Sequence, residues 1–209
     1  MKTATAKQRI LDRAYLRAGL YGLEALTIGR LAGELNMSKA GVYGHFGSKQ
    51  ALQLATLEWA GQKFRRDIIE PAEAAPDGIP RLWAMCVTLT AYSAETGLHG
   101  GDFWVTVANE YDSRSGQVRD AVEATMRWWM RQIEDLIAKS VELGQLTPCD
   151  PAQLAFEIQA LFDAGGHMYR LHHDPKAPAR ARAAILRRLE GLRGPAFPAP
   201  GDLPAAARS

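Results

Sequence analysis

The sequence is poor in cysteine, in long apolar runs and in net charge, and each shortage closes off a class of protein. Its 209 residues include two cysteines, Cys86 and Cys149, with no Cys-x-x-Cys pair and no histidine at ligand spacing beside either. Neither a disulfide framework nor a zinc site is expected. No stretch approaches the roughly 18 consecutive apolar residues of a membrane-crossing helix, and no apolar signal core follows the basic first residues, so a cytoplasmic protein is expected. Lys and Arg total 25 against 23 Asp and Glu, a net charge of +2, too little to make the whole chain a polycation. Gly-rich phosphate loops, a nucleophile elbow and paired catalytic carboxylates are all missing, which argues against an enzyme and against a bound cofactor. His172 and His173 beside Asp174 suit a solvated helix end better than a metal site, since neighbouring helical residues diverge by about 100°. Two-residue alternation is missing too, and with it any sign of strands.

What is present is a set of helical patterns on a chain with 47% apolar and 23% charged residues, the balance of a folded, soluble protein. The charge is unevenly spread. Through residue 50 there are eight basic residues (Lys2, Lys7, Arg9, Arg13, Arg17, Arg30, Lys39, Lys49) against three acids (Asp12, Glu24, Glu34), a net of +5. The remainder therefore carries −3. A basic end on a mildly acidic body points to a polyanion partner for that end.

Local pattern supports this. Leu11, Ala14, Ala18 and Tyr21 follow helical spacing over residues 5–21, and Gly22 stops that helix. Thr27 is placed to cap a two-turn helix whose Ile28, Leu31, Ala32 and Leu35 share one face. Asn36 can take the left-handed conformation that ends it, and Ser38 can cap a third helix, Lys39 to Phe46. Two short helices at a tight turn have the dimensions of a helix-turn-helix, whose second helix enters the DNA major groove. That third helix contains Gly41 and Gly44, each costing about 1 kcal/mol against Ala, so intrinsic helix stability was not the constraint there. Val42 and Phe46 can anchor it. Tyr43 and His45 can then donate to phosphate oxygens, while Lys39 can reach a guanine edge or a phosphate. Gly47 ends the helix, Ser48 caps the next, and Lys49 adds charge where first-turn amides attract phosphate.

The run Thr27-(x)10-Ser38-(x)4-Tyr43-x-His45-Phe46-x-Ser48-Lys49 closely resembles the DNA-binding domain of the tetracycline-repressor (TetR) family of bacterial transcription regulators. The resemblance implies that Thr27, Tyr43, His45 and Lys49 hold phosphates and that Ser38, Lys39, Ala40 and Gly41 face base edges. One departure stands out: Arg17-Ala18 replaces the large apolar pair usual late in the first helix, so its packing is expected to be thinner. With Gly29 and Gly44 in short helices, a mobile head is expected without DNA.

Beyond Ser48, helices are expected over 49–69, 79–95, 103–111, 118–143, 151–172 and 175–190. The start signal Asp150-Pro151-Ala152-Gln153 is the best formed. The fold class is all-α: a helix-turn-helix domain over residues 1–50, a helical ligand-binding and dimerisation domain over 51–193, and a tail over 194–209. Trp83, Tyr92, Phe103, Trp104, Trp128, Trp129, Phe162 and Met168 could wall an apolar cavity or be plain core, with His99, Asn109 and His167 as polar anchors. The resemblance implies a four-helix dimer seam from the last two long helices. Phe156, Gln159, Ala160, Asp163, His167, Ile185 and Leu189 are its candidates, with intramolecular core as the alternative. Gly165-Gly166 in mid-helix suggests close approach at that seam, ahead of room for a ligand. The functional expectation is a homodimeric repressor on a palindromic double-stranded DNA operator, released by a small-molecule effector. The alternative is a helical carrier or enzyme with a non-functional head.

Overall fold

The computed structural model describes residues 4–95 and 103–204, and every described element is helical except for one isolated antiparallel bridge between Leu146 and Arg193. The helices are α1 (Ala6–Tyr21), α2 (Ile28–Glu34), α3 (Lys39–Phe46), α4 (Lys49–Phe64), α5 (Glu70–Glu73), α6 (Ile79–Glu95), α7 (Phe103–Tyr111), α8 (Gln117–Glu142), α9 (Pro151–Leu171) and α10 (Ala177–Glu190). Their ends fall where the stop and start residues stand. Gly22 takes φ 81°, Asn36 φ 54° and Gly144 φ 66°, while Asp150 accepts from the Ala152 amide at 3.0 Å. Between α4 and α5 the helix widens to a π turn over Arg65–Ile69. Pro71, in the first turn of α5, has no N–H to give to the turn before it.

The chain forms two compact units, and their division is not the expected one at residue 50. The first holds the described residues up to Lys63 together with Phe103 to Met126. In it α7 packs on α1: Phe103, 1% exposed, stacks on Tyr15 with ring centroids 5.0 Å apart, and Thr106 Oγ1 donates to Gly19 O at 3.0 Å. Small Ala14, Ala18 and Gly19, all buried, admit this close approach. Arg17 is only 9% exposed. Its guanidinium binds Glu34 of α2 and lies 5.0 Å from the Tyr21 ring centroid. The place of the missing apolar pair is thus filled by a charge link to α2 and by α7, so α1 is not thinly packed.

The second unit holds Phe64 to Glu95 and Arg127 to Pro204. Its core gathers Leu82, Ile133, Ile137, Leu154, Ile158, Ile185 and Leu189. Here α10 packs on α9 and α6. Gly165 lies so near Ala181 that a Cβ on it would stand 2.7 Å from the Ala181 methyl, so this glycine serves a helix crossing inside one chain rather than a dimer seam. Residues 194–204, expected as a tail, are packed instead. Gly194 N donates to Gln145 O and Ala196 N to Gly144 O, both at 2.9 Å; Phe197 is 8% exposed; and Trp83 Nε1 donates to Pro204 O at 3.1 Å.

Candidate nucleic-acid interface

The turn between α2 and α3 is built by side-chain caps. Thr27 Oγ1 accepts from Arg30 N at 3.2 Å, Met37 N donates to Ala32 O at 2.9 Å across the turn, and Ser38 Oγ accepts from Gly41 N at 2.9 Å. Each cap satisfies an amide that would otherwise be orphaned at the helix start. Each hydroxyl also keeps its own proton for an outside oxygen. At the far end Gly47, at φ 73°, donates to Tyr43 O at 2.7 Å, and Ser48 Oγ accepts from Ala51 N at 3.0 Å.

This framework holds α3 by one buried side chain, Val42, which is 0% exposed. All eight sequence-derived candidates, Thr27, Ser38, Lys39, Ala40, Gly41, Tyr43, His45 and Lys49, are exposed. Tyr43 is an aromatic ring 57% open to solvent, which leaves its phenol free to donate outward. The Lys39 stem runs along α2, since a Cβ on Gly29 would come within 3.2 Å of its Cε. Lys7, Arg9, Arg30 and Lys39 have no ion-pair partner among the described residues, whereas Arg13 and Arg17 both bind Glu34. Burial pushes the Glu34 carboxyl up, but these two guanidiniums outweigh it and hold the group below its ordinary range.

Lys49 departs from the expectation. Its ammonium is engaged within the chain, donating to Glu24 O at 2.7 Å and to Glu24 Oε2 at 2.8 Å. The Lys49 hydrogen bond is the largest of the influences that lower Glu24 to a pKa of about 2; Tyr111 and Gln53 add to it. Glu24 Oε1 accepts from Tyr111 Oη at 2.8 Å and from Gln53 Nε2 at 3.0 Å. Burial, and then this carboxylate, raise the Tyr111 phenol and keep it protonated. Next to it the Glu110 carboxylate accepts from Leu23 N at 2.6 Å and Glu24 N at 3.1 Å. A Cβ on Gly22 would stand 2.5 Å from that carboxylate, so only glycine at φ 81° fits. Sequence reasoning missed Glu24, Gln53, Glu110 and Tyr111 because their partners lie 25 to 87 positions away.

The candidates for a ligand cavity do not gather in one place. Phe103, Trp104 and Asn109 belong to the first unit, with both aromatics in its core and Asn109 exposed. His99 lies outside the described residues. In the second unit Trp129 is buried, edge-on to Phe64 at 5.1 Å, and its Nε1 donates to Gln159 Oε1 at 2.8 Å. Tyr92, Trp128 and Phe162 are half-buried around the same core, and Met168 is exposed. Of the dimer candidates, Phe156, Ala160, Asp163 and His167 are exposed on α9, with Phe156 at 63%. Gln159 is turned inward onto Trp129. Ile185 and Leu189 are 0% exposed within the single chain and are therefore core of α10, not seam. The Cys86 thiol is buried and pushed up to about 12, which keeps it in the unreactive thiol form.

Comparison with known proteins accounts for both regions. Residues 10–56 match the family model described as bacterial regulatory proteins, tetR family, and residues 78–185 match the tetracyclin repressor-like C-terminal domain. No curated protein matches. Among solved structures, a TetR transcriptional regulator from Chloroflexus aurantiacus superposes with a TM-score of 0.81 at 21% identity, over 90% of this chain and 96% of that one. A putative transcriptional regulator from Saccharomonospora viridis in complex with choline gives 0.69 at 22%, over 88% and 95%. AibR in complex with isovaleryl coenzyme A and operator DNA gives 0.65 at 18%, over 88% and 96%. With both the head and more than half of the whole chain matched, the protein belongs to the TetR family of DNA-binding transcriptional regulators.

Proposed function

We propose that the protein is a repressor that binds a two-fold symmetric operator as a homodimer and leaves it when a small molecule occupies the C-terminal part. The observation that carries this reading is the solvent-facing row on α3, with Lys39, Ala40, Gly41, Tyr43 and His45 outward and Val42 alone buried. Ser38, Lys39, Ala40 and Gly41 then face base edges, and glycine lets the backbone come close to them. Thr27, Tyr43 and His45 hold phosphates on either side. Lys49 joins them by exchanging Glu24 for a phosphate oxygen. One helix of this length reads few base pairs, so specificity requires two heads on successive major grooves, and a two-fold dimer supplies them. The exposed α9 row of Phe156, Ala160, Asp163 and His167 is its seam.

The choline and isovaleryl coenzyme A complexes of similarly folded regulators support a small-molecule effector here as well. The half-buried Tyr92, Trp128 and Phe162 are its candidate contacts in the second unit. An effector lowers operator affinity only by its differential affinity for the two head separations. Selection of bound duplexes from a random pool, with sedimentation of the free protein, tests the reading. The expected result is a dimer selecting half-sites about 10 base pairs apart, centre to centre. A monomer, or a pool without symmetry, would contradict it.

A further inference from the structure

The second unit contains a cavity of about 290 Å³ where α6, α10 and the packed segment 197–204 meet. Of the aromatic candidates drawn from the sequence only Trp83 lines it. The walls are apolar, made by Trp83, Val87, Leu186, Phe197 and Leu203. Its charged lining is Arg182, Arg193 and Glu190. The size lies near the lower edge of the roughly 300–1,000 Å³ of small-molecule sites, and a few polar groups on an apolar wall are their usual chemistry.

Both guanidiniums are held in place without being neutralised. Arg182 donates from Nη1 to Thr90 Oγ1 at 2.8 Å. That hydroxyl is itself fixed by bonds to Cys86 O and Val87 O at 2.9 Å. Arg193 lies over the Phe197 ring, its Cζ 5.4 Å from the centroid. Neither forms an ion pair among the described residues, although Glu190 shares the lining. Elsewhere in this unit Arg180 binds Asp174 and Arg188 binds Glu157. An arginine anchored through a neutral hydroxyl or an aromatic face keeps most of its five donors for a planar anion.

We infer that this cavity binds a small monocarboxylate with an apolar body, its carboxylate on Arg182 and Arg193 and its body against Trp83, Leu186 and Phe197. Two cations and one anion in the lining leave one positive charge to match. Glu190 disfavours a second anionic group. The site stands on the cavity alone and does not depend on how the chain meets DNA.

Titration calorimetry of the full chain with 4-phenylbutyrate tests it, with 4-phenylbutanamide as the uncharged control and no DNA present. The acid is expected to bind with a Kd of about 1 mM or tighter, and the amide about tenfold more weakly. Arg193→Gln, at an exposed position, should weaken the acid about tenfold and leave the amide unchanged, and Arg182→Gln should do the same. Glu190→Gln should tighten the acid about twofold to fivefold, because it removes a like charge. Circular dichroism of each variant confirms that it is folded. Equal affinity for acid and amide, a Glu190→Gln variant that binds the acid more weakly, or no binding of the acid to the wild-type chain would each overturn the assignment.

Discussion

Two short basic helices, α3 and α10, make opposite use of their residues. α10 is the more basic, with Arg180, Arg182, Arg187 and Arg188 against Lys39 alone among the Lys and Arg of α3. Yet Arg180 and Arg188 are paired with carboxylates, Arg182 is tied to Thr90, and five α10 residues, Ile185 and Leu189 among them, are buried. α3 buries one residue and leaves its polar groups unpaired. A count of charge alone would choose α10 over the helix proposed to meet DNA. What marks a nucleic-acid surface is polar groups left facing outward on a helix kept in place by its caps.

The largest effect that separates the two is on stability. Ile185→Ala should cost about 2–5 kcal/mol in urea unfolding, and Val42→Ala about 2 kcal/mol. Both side chains are 0% exposed, so the larger loss at Ile185 tracks its extra methylene; a Val42→Ala variant as stable as the wild type would mean that α3 is not held by Val42. For DNA the order reverses. Tyr43→Phe should weaken operator binding about tenfold, while Arg188→Ala should leave it unchanged and cost no more than about 1 kcal/mol of stability, as half-exposed ion pairs do. Lys39→Ala should change which duplexes are selected. A uniform loss over all sequences would instead place Lys39 on a phosphate.

A smaller effect concerns Glu24. Its carboxyl is held near 2 against an ordinary 4.5, so its contribution to stability is fully present above about 4.5 and is lost as the pH falls toward 2. Stability measured over that window should fall less steeply in Glu24→Gln than in the wild-type protein. Parallel curves would mean that the Lys49, Tyr111 and Gln53 bonds do not form in solution. The smallest effect is on dynamics: amides of residues 27–46, with Leu31, Ala32 and Val42 as the buried side chains of α2 and α3, should exchange faster than those of α10.

The helices were legible in the sequence because their ends are local. Thr27, Ser38, Gly47, Asp150 and Gly144 act on amides or backbone angles within a few residues, and the α3 face follows from Val42 and the helical period. Other features were hidden because they join distant residues. Nothing near Lys49 announces Glu24, nothing near Arg17 announces Glu34, and the closeness of Gly165 to Ala181 exists only once α9 and α10 cross. The same holds for Ile185 and Leu189, whose spacing fits a dimer seam and an intramolecular core equally well, and for residues 194–204. Their Pro-rich composition reads as a tail until Phe197 and the Trp83 bond to Pro204 are seen.

The central claim is that α3, with Lys49 behind it, is the surface that meets DNA. The most direct test is the salt dependence of binding to the selected duplex, measured for the wild type, for Tyr43→Phe/Lys49→Ala and for the control Arg187→Ala/Arg188→Ala. The account predicts weaker binding for the first variant and a slope of log K against log salt shallower by about 1, the loss of one lysine contact to phosphate, with the control unchanged. An unchanged slope in Tyr43→Phe/Lys49→Ala, or a shallower one only in the α10 control, would contradict it.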